Sequence, residues 1–179
     1  GREHGPEILK KVTGERKILP REEMNSAATR RIAFQNEEVT GSIALTGGRI
    51  DDLSLNHYYK TLDKQERVHM LSPRKTKFPR TVDYGWVAKD KAVPVPDSKT
   101  RWSVRGNTKL TPENPVTPVW DNGQGITSDR KMALDKNCMF TVTQTGTNQH
   151  GLEVTPYPYG IIARRCEAHY YVWASLQLL

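Results

Sequence analysis

Residues 40–55 read T-G-S-I-A-L-T-G-G-R-I-D-D-L-S-L. Ile43 and Leu45 alternate with Ser42, Ala44 and Thr46, the two-residue period of a strand buried on one face. Gly47-Gly48 supplies the positive φ angles that a tight turn requires. The stretch is therefore predicted to be a β-hairpin. On the return strand Ile50 is out of phase with Leu53 and Leu55, and one extra residue at Asp51-Asp52 restores the phase, so a β-bulge is expected there.

Working outward from the hairpin, strand-like runs recur at short intervals, separated by Gly, Pro, Asn and Asp. They are 32–34, 39–45, 49–59, 67–71, 82–88, 100–104, 116–120, 126–134, 139–145 and 153–164. None carries a helical apolar period, and there is no internal repeat of about 20 to 50 residues. The pattern predicts an all-β, antiparallel sandwich or barrel built of hairpins and meanders.

A chain of 179 residues accommodates one domain with appendages. Its apolar fraction of 36% is low for a compact body, so polar flanks or an incomplete core are expected. Residues 1 to about 30 supply the flank. Arg2, Lys10, Lys11, Arg16, Lys17, Arg21, Arg30 and Arg31 mix there with Glu3, Glu7, Glu15, Glu22 and Glu23, which reads as a charged linker or a marginal helix. No run approaches the roughly 18 apolar residues needed to cross a bilayer. Gly1 and its neighbours do not resemble a secretory leader, and the chain reads as a piece trimmed from a longer one.

The 27 Lys and Arg against 20 Asp and Glu give a net charge of +7. The most positive region spans 60–80, with Lys60, Lys64 and Arg67 followed by S-P-R-K-T-K-F-P-R at 72–80. A solvated loop is one reading and weak contact with an anionic membrane surface is another, since a basic residue beside such a surface gains about 1 kcal/mol. Aromatic residues are not interleaved with the basic ones as in a single-strand platform, so nucleic acid is not expected as a partner.

Chemistry finds few candidates. There is no G-x-S-x-G elbow, phosphate loop or H-E-x-x-H, and Gly123-Gln124-Gly125 is a turn between strands. Asp51 and Asp52 are adjacent and are predicted to point to opposite faces of their strand, although a bulge would blur this. Cys166 and His169 have C-x-x-H spacing, with Cys138 and His150 as further candidate ligands, but one such pair is too little for a zinc site. The reading is of a chain with no catalytic residues, no cofactor, no metal and no small-molecule substrate. Trp86, Trp102 and Trp120 leave one other option, a carbohydrate-binding or mutarotase-like module in which they stack on sugar rings; core packing is the simpler account of them.

Three later motifs join the hairpin and Y-G-W-V-A at 84–88: W-D-N-G-Q-G at 120–125, M-F-T-V-T at 139–143 and Y-P-Y-G at 157–160. In this order they resemble the periplasmic domain of the YidC/Oxa1/Alb3 membrane protein insertase family, in its alphaproteobacterial version. The resemblance covers residues 31–165 and fades over 166–179, a divergent tail of the kind a frameshift would produce. It implies an incomplete antiparallel β-sandwich of the galactose-mutarotase-like type, tethered to a first transmembrane helix at the periplasmic face of the bacterial inner membrane. It also implies work beside helices that insert nascent membrane proteins, alone or with the Sec translocon; those helices are absent from this chain. Ser128 and Cys138 stand where the family pattern favours larger apolar side chains, and Pro118 removes an amide from a strand.

Overall fold

The structure, a computed structural model, describes residues 20–21, 30–88, 94–149, 156–165 and 170–174. It is all-β, with two sheets stacked as a sandwich. Sheet one contains β1 (Arg31–Gln35), β2 (Val39–Ala44), β3 (Arg49–Tyr59), β4 (Arg67–Leu71), β5 (Arg80–Ala88), β7 (Lys109–Leu110), β11 (Pro156–Arg165) and β12 (Tyr170–Ala174), in the order β12-β11-β5-β3-β2-β1-β7, with β4 paired to β3. Sheet two contains β6 (Ser103–Arg105), β8 (Thr117–Asp121), β9 (Ile126–Leu134) and β10 (Phe140–Asn148), in the order β10-β9-β8-β6.

The hairpin of β2 and β3 forms as its residues dictate. Gly47 and Gly48 have φ of 80° and 57°. The turn is wider than a two-residue connection, because Leu45 accepts a bond from the Trp102 amide at 2.9 Å and its own amide donates to Arg30 at 3.0 Å. The bulge is where the phase of the apolar residues places it. Ser42 faces Asp52 while Ile43 faces Ile50, leaving Asp51 as the extra residue. Upstream, Gly41 crosses so close to Phe34 that a Cβ would lie 2.5 Å from its ring.

Alternation along each strand then sorts side chains into the core. Ile32, Phe34, Val39, Ile43 and Ile50 of sheet one meet Met132 and Leu134 of β9, with Trp102, Leu110 and Val116 closing the gap. Phe34 and Phe140 meet edge to face across the two sheets at 5.1 Å, a geometry worth about 1 kcal/mol beyond its buried area. Asn36 ties the layers at one end. Its side-chain Oδ1 accepts the Glu38 and Val39 amides, and its Nδ2 donates to the Asp135 carbonyl at 2.8 Å.

Three details depart from the sequence reading. Residues 100–102 do not join sheet two; Gly47 donates to the Thr100 carbonyl at 2.7 Å and Thr46 bridges Arg101, so this segment crosses from one sheet to the other before β6 begins. The two-residue β7 pairs parallel with β1, an exception to the antiparallel pattern. Strand structure also continues past Arg165, with β12 antiparallel to β11. Pro118 sits on β8 in the register set by Val116–Met132 and Val119–Asp129. It lacks the amide that would donate to β9 opposite Arg130, and the β8–β9 ladder is interrupted there.

Candidate functional site

The outer face of sheet one carries a buried polar layer, and the bulge builds it. By placing two residues opposite one, it turns both Asp51 and Asp52 to the same face, contrary to the opposite faces that their adjacency predicts. Arg31 holds Asp51 and donates from Nε to the Ser42 hydroxyl at 2.8 Å; that hydroxyl donates to Asp52 at 2.6 Å. Arg21 pairs with Asp52 and also donates to Ser54 Oγ at 3.1 Å. Burial pushes the Asp51 carboxyl up, with the Arg31 guanidinium opposing the shift. Further along, Asp83 accepts from Arg74 at 2.9 Å and Thr81 at 2.6 Å and faces Arg49 at 3.6 Å. Burial and the nearby Arg74 charge lower the Arg49 guanidinium, opposed by Asp83 and Asp51.

Where this layer reaches β4 it ends in a Ser–His–Glu series. Ser54 Oγ lies 2.9 Å from His69 Nδ1, and His69 Nε2 lies 3.5 Å from Glu66, which also binds Lys60. Burial lowers His69, helped by the Arg21 and Lys60 charges and opposed by Glu66 and Asp52. Ser54 is only 8% exposed and its oxygen already accepts from Arg21. The arrangement holds charge in place; a nucleophile needs an exposed oxygen and donors aimed at a reacting carbonyl. The groove above it, lined by Thr40, Tyr59, Lys64 and Arg67, is open and polar.

Between the sheets lies a second buried centre that the sequence reading did not single out. Arg130, on β9, is 0% exposed. It donates to the Gly48 carbonyl at 2.7 Å, to the Tyr84 carbonyl at 3.1 Å and to Gln144 Oε1 at 2.8 and 3.0 Å. Its guanidinium lies 4.3 Å from the Trp102 ring and 5.6 Å from that of Tyr84. One side chain thus ties β9 and β10 to the β2–β3 turn and β5. Gly48 leaves it room, since a Cβ there would lie 2.5 Å from Nη1. Burial raises the Tyr84 phenol, opposed by the Arg130 charge.

The tryptophans are absorbed by packing. Trp102 is buried against Arg130, Trp120 packs on the core, and Trp86 donates from Nε1 to Ser128 Oγ at 3.1 Å. Ser128 is therefore a buried acceptor with a partner. Cys138 packs against the core with φ of 69°, a conformation few non-glycine residues adopt. Cys166, His150 and His169 lie outside the described residues. No cluster of metal-ligating groups occurs among the described residues, and none of their helices is long and apolar enough to cross a membrane.

Residues 31–175 match the family model for the YidC periplasmic domain. The chain belongs to the YidC periplasmic-domain family. It is 43% identical over 136 residues to the membrane protein insertase YidC of Jannaschia sp. (strain CCS1), an alignment covering 75% of this chain and 22% of that protein. With the insertase YidC of Pelagibacter ubique (strain HTCC1062) it shares 40% over 134 residues, 75% of this chain and 24% of the relative. With that of Methylobacterium nodulans (strain LMG 21967 / CNCM I-2342 / ORS 2060) it shares 39% over 158 residues, 86% and 26%. The chain thus spans about a quarter of the length of these curated relatives. The match to the YidC domain runs beyond Arg165 and takes in β12, so the likeness extends ten residues further than the motifs indicate. Its relatives are insertases of alphaproteobacterial type, and the family is not one of classical enzymes.

Proposed function

We propose that this chain is the β-sandwich domain of a YidC-type membrane protein insertase, held at the periplasmic face of the bacterial inner membrane, where it supports insertion and folding of nascent membrane proteins. Residues 1–30 serve as its charged tether. The observation that carries this reading is the family match over the whole sheet body. The site geometry agrees with it: the buried charges and tryptophans are engaged with one another, leaving a fold that positions a surface. The domain performs no bond chemistry itself. Its partners are the insertase helices, their substrates and the Sec translocon.

A chimera tests this placement. Residues 31–175 replace the matching region of the Jannaschia insertase in bacterial cells depleted of their own insertase. The expected result is restored membrane-protein insertion, with the grafted domain digested by protease added to spheroplasts. A domain protected until the inner membrane is breached, or a stable chimera without insertion activity, would refute the reading.

A further inference from the structure

Resting on that membrane-bound reading, we propose that residues 72–80 form a docking loop for the anionic surface of a lipid bilayer. β4 and β5 both run antiparallel to β3, β4 alongside its Leu53–Tyr59 portion and β5 alongside Ile50. Between them the chain leaves the sheet and returns. Ser72 and Arg80 close the neck with two reciprocal backbone bonds of 3.0 and 2.9 Å. Pro73 is fully buried and anchors the base, while the Thr76 amide and hydroxyl both donate to the Pro73 carbonyl, at 3.1 and 2.7 Å. A loop braced in this way loses little conformational entropy when its tip binds.

The tip presents Arg74, Lys75, Lys77 and Phe78 to solvent. Phe78 is 50% exposed and Lys77 Nζ lies 5.3 Å from its ring. Arg74, Lys75, Lys77 and Arg80 meet no acidic residue within the nine; from outside it, Asp83 pairs with Arg74. Across the neck, Arg164 of β11 is in register with Arg80. Cations around an exposed aromatic ring match the two parts of a bilayer interface: the charges draw in anionic headgroups and the ring enters the boundary beneath them. The β3–β4 turn also exposes an apolar residue, Leu62, but Asp63 and Glu66 dilute its charge and Glu66 binds Lys60. A single ring favours a bilayer over nucleic acid, which needs successive stacking platforms.

Flotation of the full 179-residue chain with phosphatidylcholine vesicles, with or without roughly a third phosphatidylglycerol, tests the loop. Binding is expected only to the anionic vesicles, falling as salt rises. The double variant Lys75→Glu/Lys77→Glu should bind about tenfold more weakly or worse; Phe78→Ala should lose several-fold, and Phe78→Trp should bind at least as well as the parent. Lys131→Glu/Lys136→Glu, likewise at exposed positions and equal in charge change, should keep most of the binding. No binding to anionic vesicles, equal loss in both charge-reversed pairs, or indifference to Phe78 together with equally tight binding of DNA would overturn the proposal. Circular dichroism identifies any unfolded variant, and Phe78→Trp, which removes no charge, then decides. A chimera that works at the periplasmic face while the loop ignores vesicles would sink this inference alone; a chimera on the wrong side would sink the reading beneath it.

Discussion

Arg130 is the residue on which the two layers most depend. Truncating it leaves the Gly48 and Tyr84 carbonyls and Gln144 without their buried donor and empties the space against Trp102. Arg130→Ala should destabilise the chain by about 3–5 kcal/mol in urea denaturation. Arg130→Lys should recover little of that, because an ammonium cannot reproduce the forked, stacked geometry. Ser128→Val, despite its apolar side chain, should cost about 1–3 kcal/mol by orphaning Trp86 Nε1. The phase of Arg130 was legible: Ser128, Arg130, Met132 and Leu134 alternate along one face. Its partners Gly48 and Tyr84 were not, because they lie on the side of the other sheet, 82 and 46 positions away.

His69 adds a pH dependence at the same scale. Burial and the Arg21 and Lys60 charges hold its folded value below the ordinary 6.5, while Glu66 and Asp52 pull the other way. The folded state thus binds this proton less readily than the unfolded chain. The contribution is fully present above pH 6.5 and is lost as pH falls from there through the lowered folded value. NMR titration should place His69 below 6.5, and His69→Asn should flatten the stability profile over that range. An unchanged profile would show that other groups set it.

At the scale of elements, local patterns were the readable ones. The β2–β3 hairpin and its bulge follow from apolar phase and a Gly-Gly pair within sixteen residues. β7 is two residues long and takes its strand character from β1 alone, so no period marks it. Segment 100–102 reads as strand yet pairs with the hairpin turn, a non-local choice. β10 carries a different consequence. It is the edge of sheet two among the described residues, and F-T-V-T-Q-T-G-T-N holds no charge. Uncharged edges of this length invite pairing with another chain. The isolated chain should therefore self-associate with rising concentration in sedimentation velocity, and Thr143→Lys, at an exposed position, should shift it toward monomer. Equal association of both proteins would place the contact elsewhere.

For the molecule as a whole, motif order pointed to the family, while sheet order and the polar layer on the outer face became visible only in three dimensions. What unites them is a domain whose buried ionic and aromatic groups are spent on holding a shape. If shape is the contribution to insertion, disrupting the fold should matter and disrupting the Ser–His–Glu series should not. The most direct measurement is pulse-chase insertion of a membrane protein by the Jannaschia chimera, comparing the parent domain with Arg130→Ala and with Ser54→Ala/His69→Asn. Insertion slowed by Arg130→Ala and unchanged by Ser54→Ala/His69→Asn is the expected result. Insertion abolished by Ser54→Ala/His69→Asn in a domain that still folds would contradict it.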